Sequence, residues 1–244
     1  MVLKTKQHGF SYTQYYEMYK TMPATVSNAL VLGAGAGTIT YSLAQELPEA
    51  TIESIEIEKM LFDISEKYFY GKMPENVTNI ARDGRTHVRN SDKIYDFVYI
   101  DAFSSLYSIP YHLTTKEFYT ELKAKMSDTS MLVTNTIGSL ANEKFTFFPS
   151  IYKTICSIFD TCYVFVGVSH DTDINQNLVI VATKGDYAIN LDDIEIKDFN
   201  QPELRFIHQN YIEITDEDVS NGIILTDDYA PVDAMITKII QEDG

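Results

Sequence analysis

"NALVLGAGAGTITYSLAQ" occupies residues 28–45 and sets an apolar run against three glycines at alternate positions, Gly33, Gly35 and Gly37, before a helix-like run begins. A buried strand that feeds a helix through a glycine turn is the opening unit of a βαβ fold. The missing β-carbons let a ligand approach the backbone at a helix N-terminus. Nucleoside triphosphates, dinucleotides and adenosyl-sulfonium compounds all bind at such turns, and their other partners along the chain separate them.

Outward from this stretch, short β-branched runs alternate with longer amphipathic ones. The strand candidates are 28–33, 50–57, 76–81, 95–101 and 130–136, with helical candidates at 38–46, 59–69, 84–90, 114–126 and 142–159. That alternation predicts a parallel sheet with helices on both faces. The runs "CYVFVGVS" (162–169) and "NLVIVAT" (177–183) have only the polar "HDTDINQN" between them, which predicts an antiparallel hairpin at one edge. Three regions follow: a short aromatic N-terminal segment (1–27), an α/β ligand-binding domain (28–184) and a C-terminal extension (185–244) packing on that domain.

The chain has 244 residues, with Lys+Arg 19 against Asp+Glu 35 and a formal charge of −16. Nucleic acids and anionic membranes demand basic patches, so neither is expected as a partner. A cationic substrate is compatible with the charge, and so is a homodimer. Cys156 and Cys162 are too few for a disulfide framework and lack metal-ligand spacing, which makes a reducing, cytoplasmic setting the expectation. No apolar run approaches the length of a membrane span, and the start "MVLKTKQHGF" lacks a signal-peptide segment.

In an open parallel sheet, ligands sit beyond the C-terminal strand ends, near the reversal of strand order. The first strand ends in the glycine turn, the second at Glu56, the third just before Asp83 and Gly84, and the fourth at Asp101. The turn lacks the lysine and Ser or Thr of a P-loop. A dinucleotide fingerprint would want a further glycine where Thr40 stands. Glu56 can accept hydrogen bonds from both hydroxyls of a ribose, and an acid after the third strand suits an adenine amino group. Together these point to S-adenosylmethionine or its decarboxylated form, with no metal needed.

"LVLGAGAG", "IESIEIE", "ARDGRTHV" and "YDFVYIDAF" resemble, in order and spacing, the nucleoside-binding motifs of the spermidine synthases, the polyamine aminopropyltransferases. The resemblance spans roughly residues 10–183. It implies a Rossmann-like class I methyltransferase fold whose N-terminal segment is the remnant of a β-rich lobe. It also implies that Glu56 holds the ribose, that Asp83 and Gly84 hold the adenine, and that Asp101 positions and deprotonates the attacking amine. Tyr12, ahead of Tyr15, matches the family's substrate-contacting tyrosine. The stretches 100–119 and 225–235 look like the spermidine-synthase-like domains attached to membrane segments, which would make this chain part of a larger protein.

Two departures stand out. Ala36 and Ser104 occupy positions where spermidine synthases carry aspartates that grip ammonium groups. Asp227 and Asp228 are candidates to supply that charge from the tail. His112 is a further candidate for contact with substrate, and His170 with Asp171 and Asp173 a weaker candidate for metal binding. The leading expectation is aminopropyl transfer from decarboxylated S-adenosylmethionine to an amine in polyamine biosynthesis. The alternatives are a small-molecule methyltransferase, for which Ala36 speaks, and a non-catalytic nucleoside-binding domain.

Overall fold

The computed structural model describes residues 11–102, 109–140, 146–167, 169–171, 174–192 and 195–242. Its strands are β1 (Asn28–Leu32), β2 (Thr51–Glu56), β3 (Val77–Ala81), β4 (Tyr95–Ile100), β5 (Met126–Gly138), β6 (Thr161–Val166), β7 (Gln176–Lys184) and β8 (Tyr211–Ile212). They form one sheet in the order β3-β2-β1-β4-β5-β7-β6-β8. Order reverses between β1 and β4, so the crevice expected of this topology opens above the ends of those two strands.

The strands from β3 across to β5 are parallel. β7 runs against both β5 and β6, so β6 again points with the core, and the outermost β8 is reversed. The hairpin foreseen in the sequence is present, with its second strand tucked inside the first. The composition of β7 explains this placement. Leu178, Val179, Ile180, Val181 and Ala182 are all buried, so this strand has no face to offer to water. β8 is too short to leave a sequence signal.

Strands covered on both sides read as unbroken apolar runs, and β1 shows why. Leu30 and Leu32 enter one core with Val88, Phe118, Phe147 and Ile151, while Ala29 and Val31 enter the other with Tyr15, Met18, Leu43 and Phe199. The first core lies under α3 (Gly84–Asn90), α4 (Lys116–Ala124), α5 (Phe147–Cys156) and α6 (Val232–Glu242). The second lies under α1 (Thr38–Glu46), the N-terminal 3-10 helix (Ser11–Thr21) and the stretch around Phe199. Residues beyond 184 therefore seal both faces of the sheet.

Several helix ends follow from their residues. Asp83 caps α3 by accepting from Thr86 N at 2.8 Å, and Thr115 caps α4 by accepting from Phe118 N at 3.3 Å. α2 (Met60–Ser65) gives way to a π-helical turn, Glu66–Tyr70, and stops at Gly71 with φ 67°. That turn is tied back to α1 by a bond from Tyr70 OH to Thr38 Oγ1 at 2.9 Å and by stacking of Tyr41 on Tyr70. Cys156 and Cys162 are joined as a disulfide between the end of α5 and β6. The sequence reading found too few cysteines for a disulfide framework and did not foresee this single bridge, which forms because the turn between α5 and β6 brings the two side chains together. Among the described residues, no helix is long and apolar enough to cross a membrane.

Candidate active site

Gly33 and Asp101 meet at the strand-order reversal. Gly33 N and Ala34 N both donate to Ile55 O at 3.0 Å, and Asp101 N donates to Leu32 O at 2.9 Å. A β-carbon on Gly33 would stand 2.4 Å from Asp101 O, and the residue adopts φ +79°. The turn can lie on the Asp101 backbone only as glycine. Gly35, at φ +53°, is its opposite: nothing lies within 4 Å of where its β-carbon would be. Space for a ligand opens there, beside the partly exposed Ala36.

Gly37 is more tightly packed than Gly35. It precedes α1 in a left-handed conformation with no side-chain cap. Its missing β-carbon would come within 2.5 Å of Met73 Cε and 3.2 Å of Ser65 Oγ. Met73 and Ser65 thus pack against Gly37 at the start of α1. The turn offers its open backbone at Gly35, which suits an uncharged or sulfonium-bearing tail better than a pyrophosphate.

Glu56 closes β2 and is nearly buried. One carboxylate oxygen accepts from Gly35 N at 2.9 Å and the other from Glu58 N at 3.0 Å. A carboxylate has about four acceptor positions, so about two remain for a pair of hydroxyls. Asp83 uses one oxygen as the α3 cap and meets His112 Nε2 with the other at 2.7 Å. Burial pushes its carboxyl up, but the Thr86 amide and His112 outweigh that and leave it below the usual aspartate value. His112 therefore lies against Asp83, a contact that the loop position alone does not announce. At Gly84 a β-carbon would make only ordinary contacts with Leu113 and Leu32, so packing does not demand glycine there.

Asp101 is the most perturbed acid of the crevice. The residue keeps some exposure, yet burial of its carboxyl pushes it up to about 6. Asn135 Nδ2 donates to its Oδ1 at 3.0 Å, and Tyr12 also bonds to it; both contacts oppose the upward shift without cancelling it. Tyr12 itself is held above the ordinary tyrosine value, by burial first and then by Asp101. Tyr15 instead donates to Val166 O at 2.8 Å and is core. Of the two tyrosines, Tyr12 is the one beside the acid.

Asp227, a candidate to supply charge for an amine, is paired within the protein. Its two oxygens accept from Arg85 at 2.6 and 2.7 Å, and Thr115 Oγ1 adds a bond at 2.7 Å. Arg85 is buried and also forks onto Glu121. The charge expected for an amine is spent on a brace between α3, α4 and the tail. Asp228 beside it is exposed. Asp227→Asn is expected to lower stability by about 1 kcal/mol, since the pair is partly exposed and Glu121 remains. In thermal melts this appears as a lower midpoint; an amine-binding role would instead appear as weaker acceptor binding at unchanged stability. Ser104 and Asp173 fall outside the described residues, and among those described no group of three possible metal ligands gathers at His170 and Asp171.

Two polar residues near Asp101 escape a reading confined to the first four strand ends. Asn135, at the crevice end of β5, bonds Asp101, and Asn177 of β7 bonds Asn135. The strand-end pattern extended to "LVTNT" points to Asn135; nothing local points to Asn177, whose position depends on how β7 pairs.

No protein-family profile matches the chain. It is 34% identical over 113 residues to a polyamine aminopropyltransferase of Vibrio vulnificus, a match covering 45% of this chain and 38% of that one. A probable polyamine aminopropyl transferase of Bifidobacterium longum is 25% identical across 94% of this chain and 55% of its own length. In fold, a probable spermidine synthase of Corynebacterium glutamicum superposes with a TM-score of 0.66 at 17% identity, covering 77% of this chain and 69% of that one. The chain is similar in sequence to polyamine aminopropyltransferases and in fold to spermidine synthases. The fold is shared more widely, because human methyltransferase-like protein 13 superposes with a TM-score of 0.57 at 14% identity over 75% of this chain and 81% of its own. An N-terminal histidine N-methyltransferase of Emericella nidulans is 35% identical over 57% of this chain and 24% of its own length. The match covers between 24% and 55% of the length of these three curated relatives.

Proposed function

We propose that this spermidine-synthase-like chain transfers an aminopropyl group from decarboxylated S-adenosylmethionine to an amine, as a step of polyamine biosynthesis. The observation that carries this reading is Asp101. It is a carboxyl tuned up to about 6, tethered by Asn135 and Tyr12, and seated against the glycine turn at the strand-order reversal. In this reading the donor's ribose takes the remaining acceptor positions of Glu56, and its adenine lies toward Asp83 and Gly84. The aminopropyl tail passes Gly35 and Ala36.

An amine that is protonated in water cannot attack carbon. Asp101 accepts its proton, the freed nitrogen lone pair forms the new C–N bond, and the C–S bond breaks toward sulfur. The sulfonium leaves as a neutral thioether, so the leaving group needs no acid. Asp101 and Tyr12 together orient the nucleophile, and that positioning lowers the barrier before chemistry begins. No metal takes part in this scheme.

The test is a transfer assay with both donors and a panel of amines, reading the thioether product. Methylthioadenosine marks aminopropyl transfer, and S-adenosylhomocysteine marks methyl transfer. The second outcome is the alternative reading, favoured by an uncharged Ala36 at the tail position and by the likeness to a histidine N-methyltransferase. For the nucleoside site itself, Glu56→Gln is expected to weaken methylthioadenosine binding by about 1–3 kcal/mol. An amide can accept from only one of the two backbone N–H groups that the carboxylate now satisfies. Calorimetry showing parental affinity would place the nucleoside elsewhere.

A further inference from the structure

We propose that Asn177 is a positioning residue for Asp101, acting through Asn135 to keep a hydrogen-bond donor turned toward the acid; its use in catalysis rests on the reading above. An asparagine amide is nearly symmetric in shape but not in chemistry, since one end donates and the other only accepts. An ionised carboxylate only accepts. Asn135 can therefore support Asp101 with its NH2 end and would oppose it with its oxygen. The contact to Asp101 alone does not settle which end is presented.

Asn177 settles it. Its Nδ2 donates to Asn135 Oδ1 at 3.0 Å, and Asn135 Nδ2 then donates to Asp101 Oδ1, also at 3.0 Å. The relay crosses three adjacent strands, from β7 through β5 to β4. Asn135 is buried, with 5% exposure, so water is a poor substitute for either bond. Asn177 is fixed in turn by its backbone, whose carbonyl accepts from Gly167 N at 2.9 Å. A β-carbon on Gly167 would lie 2.6 Å from that carbonyl oxygen and 3.0 Å from Asn177 Cβ, so the close approach depends on glycine. The reversed direction of β7 is what delivers a side chain 42 positions along the chain to this spot.

Among the described residues, the titratable groups that face Asp101 are Tyr12 from the N-terminal 3-10 helix and Tyr99 from its own strand, with Tyr15 behind Tyr99. Burial, first among the causes, holds all three phenols above their ordinary value, so they stay protonated where Asp101 titrates. A shift in that titration therefore reports on Asp101 and its amide partner.

Asn177→Asp replaces a donor with an acceptor. Asn135 then turns its NH2 toward residue 177 and sets its oxygen against Asp101. Asn177→Ala only releases Asn135. The measurement is a carbon NMR titration of the Asp101 carboxyl in the full chain, with Asp101→Asn used to assign the signal. It needs neither donor nor acceptor, so its outcome is independent of whether aminopropyl transfer is the reaction. The expected midpoint in Asn177→Asp is at least about one pH unit above the parent, a tenfold change in proton affinity, with a smaller rise in Asn177→Ala. A merely structural Asn177 would lower the melting temperature of both variants and leave the midpoint within about 0.3 unit of the parent, given how small a proton-affinity change that is. That result would overturn the proposal. A raised midpoint in Asn177→Asp with none in Asn177→Ala would also overturn it, because the new charge and not the lost donor would then be responsible.

Discussion

Asp101→Asn is expected to lose about 10²–10⁴-fold in turnover and to melt at a higher temperature than the parent near neutral pH. The two effects share one cause. Burial raises the carboxyl from 3.8 to about 6, so folding must bring a charge into a place that disfavours it. For a group whose pKa is raised on folding, the stabilising contribution is complete below its unfolded value. It is then lost as pH rises through the folded one. The parent therefore gives up stability between about pH 4 and pH 6 on account of this group, up to about 3 kcal/mol from a shift of this size. Asparagine carries no charge to bury and keeps an oxygen for Asn135. Its advantage should open above about pH 6 and vanish near pH 4, where the aspartate is also neutral. Melting curves across that range, with single-turnover rates on a working amine, check both halves. An Asp101→Asn protein with full turnover would remove Asp101 from the chemistry, and one that melts lower at pH 7 would contradict its buried charge.

The second large effect separates two neighbouring glycines. Gly33→Ala is expected to cost about 3 kcal/mol or more. A left-handed backbone alone costs about 1–2 kcal/mol for an L-residue. To this is added a β-carbon 2.4 Å from a carbonyl oxygen of the sheet, a clash no rotamer relieves. Gly35→Ala bears the backbone cost alone, about 1–2 kcal/mol, since its β-carbon enters open space. Its methyl group projects into the ligand's path, so nucleoside affinity should fall further than stability does. Chemical denaturation and calorimetry on the two variants give opposite orders of damage. Equal stability losses would mean that the Gly33 turn can move off Asp101.

Much of the architecture was legible because this sheet is covered on both faces. The runs at 28–33 and 95–101 are mostly apolar, and the one at 50–57 sets Ile52, Ile55 and Ile57 among polar residues; each forms a strand within a residue or so of the expected ends. The acids at strand ends were legible for a related reason, since a charged residue closing an apolar run stands out. What stayed hidden depended on distant pairing. Asn177 reaches the site only because β7 inserts between β5 and β6, and no local pattern encodes an insertion. The disulfide hides in the same way, as two cysteines six apart say nothing until a turn closes between them. Asp227 misled because its charge was visible and its partner was not: Arg85 sits 142 positions away and looks like an ordinary helix cation.

That last pairing gives the tail a mechanical importance. Arg85 lies two residues after Asp83, inside the helix that Asp83 caps, and it is gripped from the far side by Asp227. The neighbouring Leu225 is fully buried, accepts from Lys116 N at 2.8 Å and donates to Thr154 Oγ1 at 2.9 Å. The segment works like a wedge driven between α4 and α5, with α3 pinned to its side. A tug at the tail would travel through one guanidinium and two residues of backbone to the acid at the rim of the crevice. The C-terminal stretch is thus a keel beneath the helix that Asp83 caps.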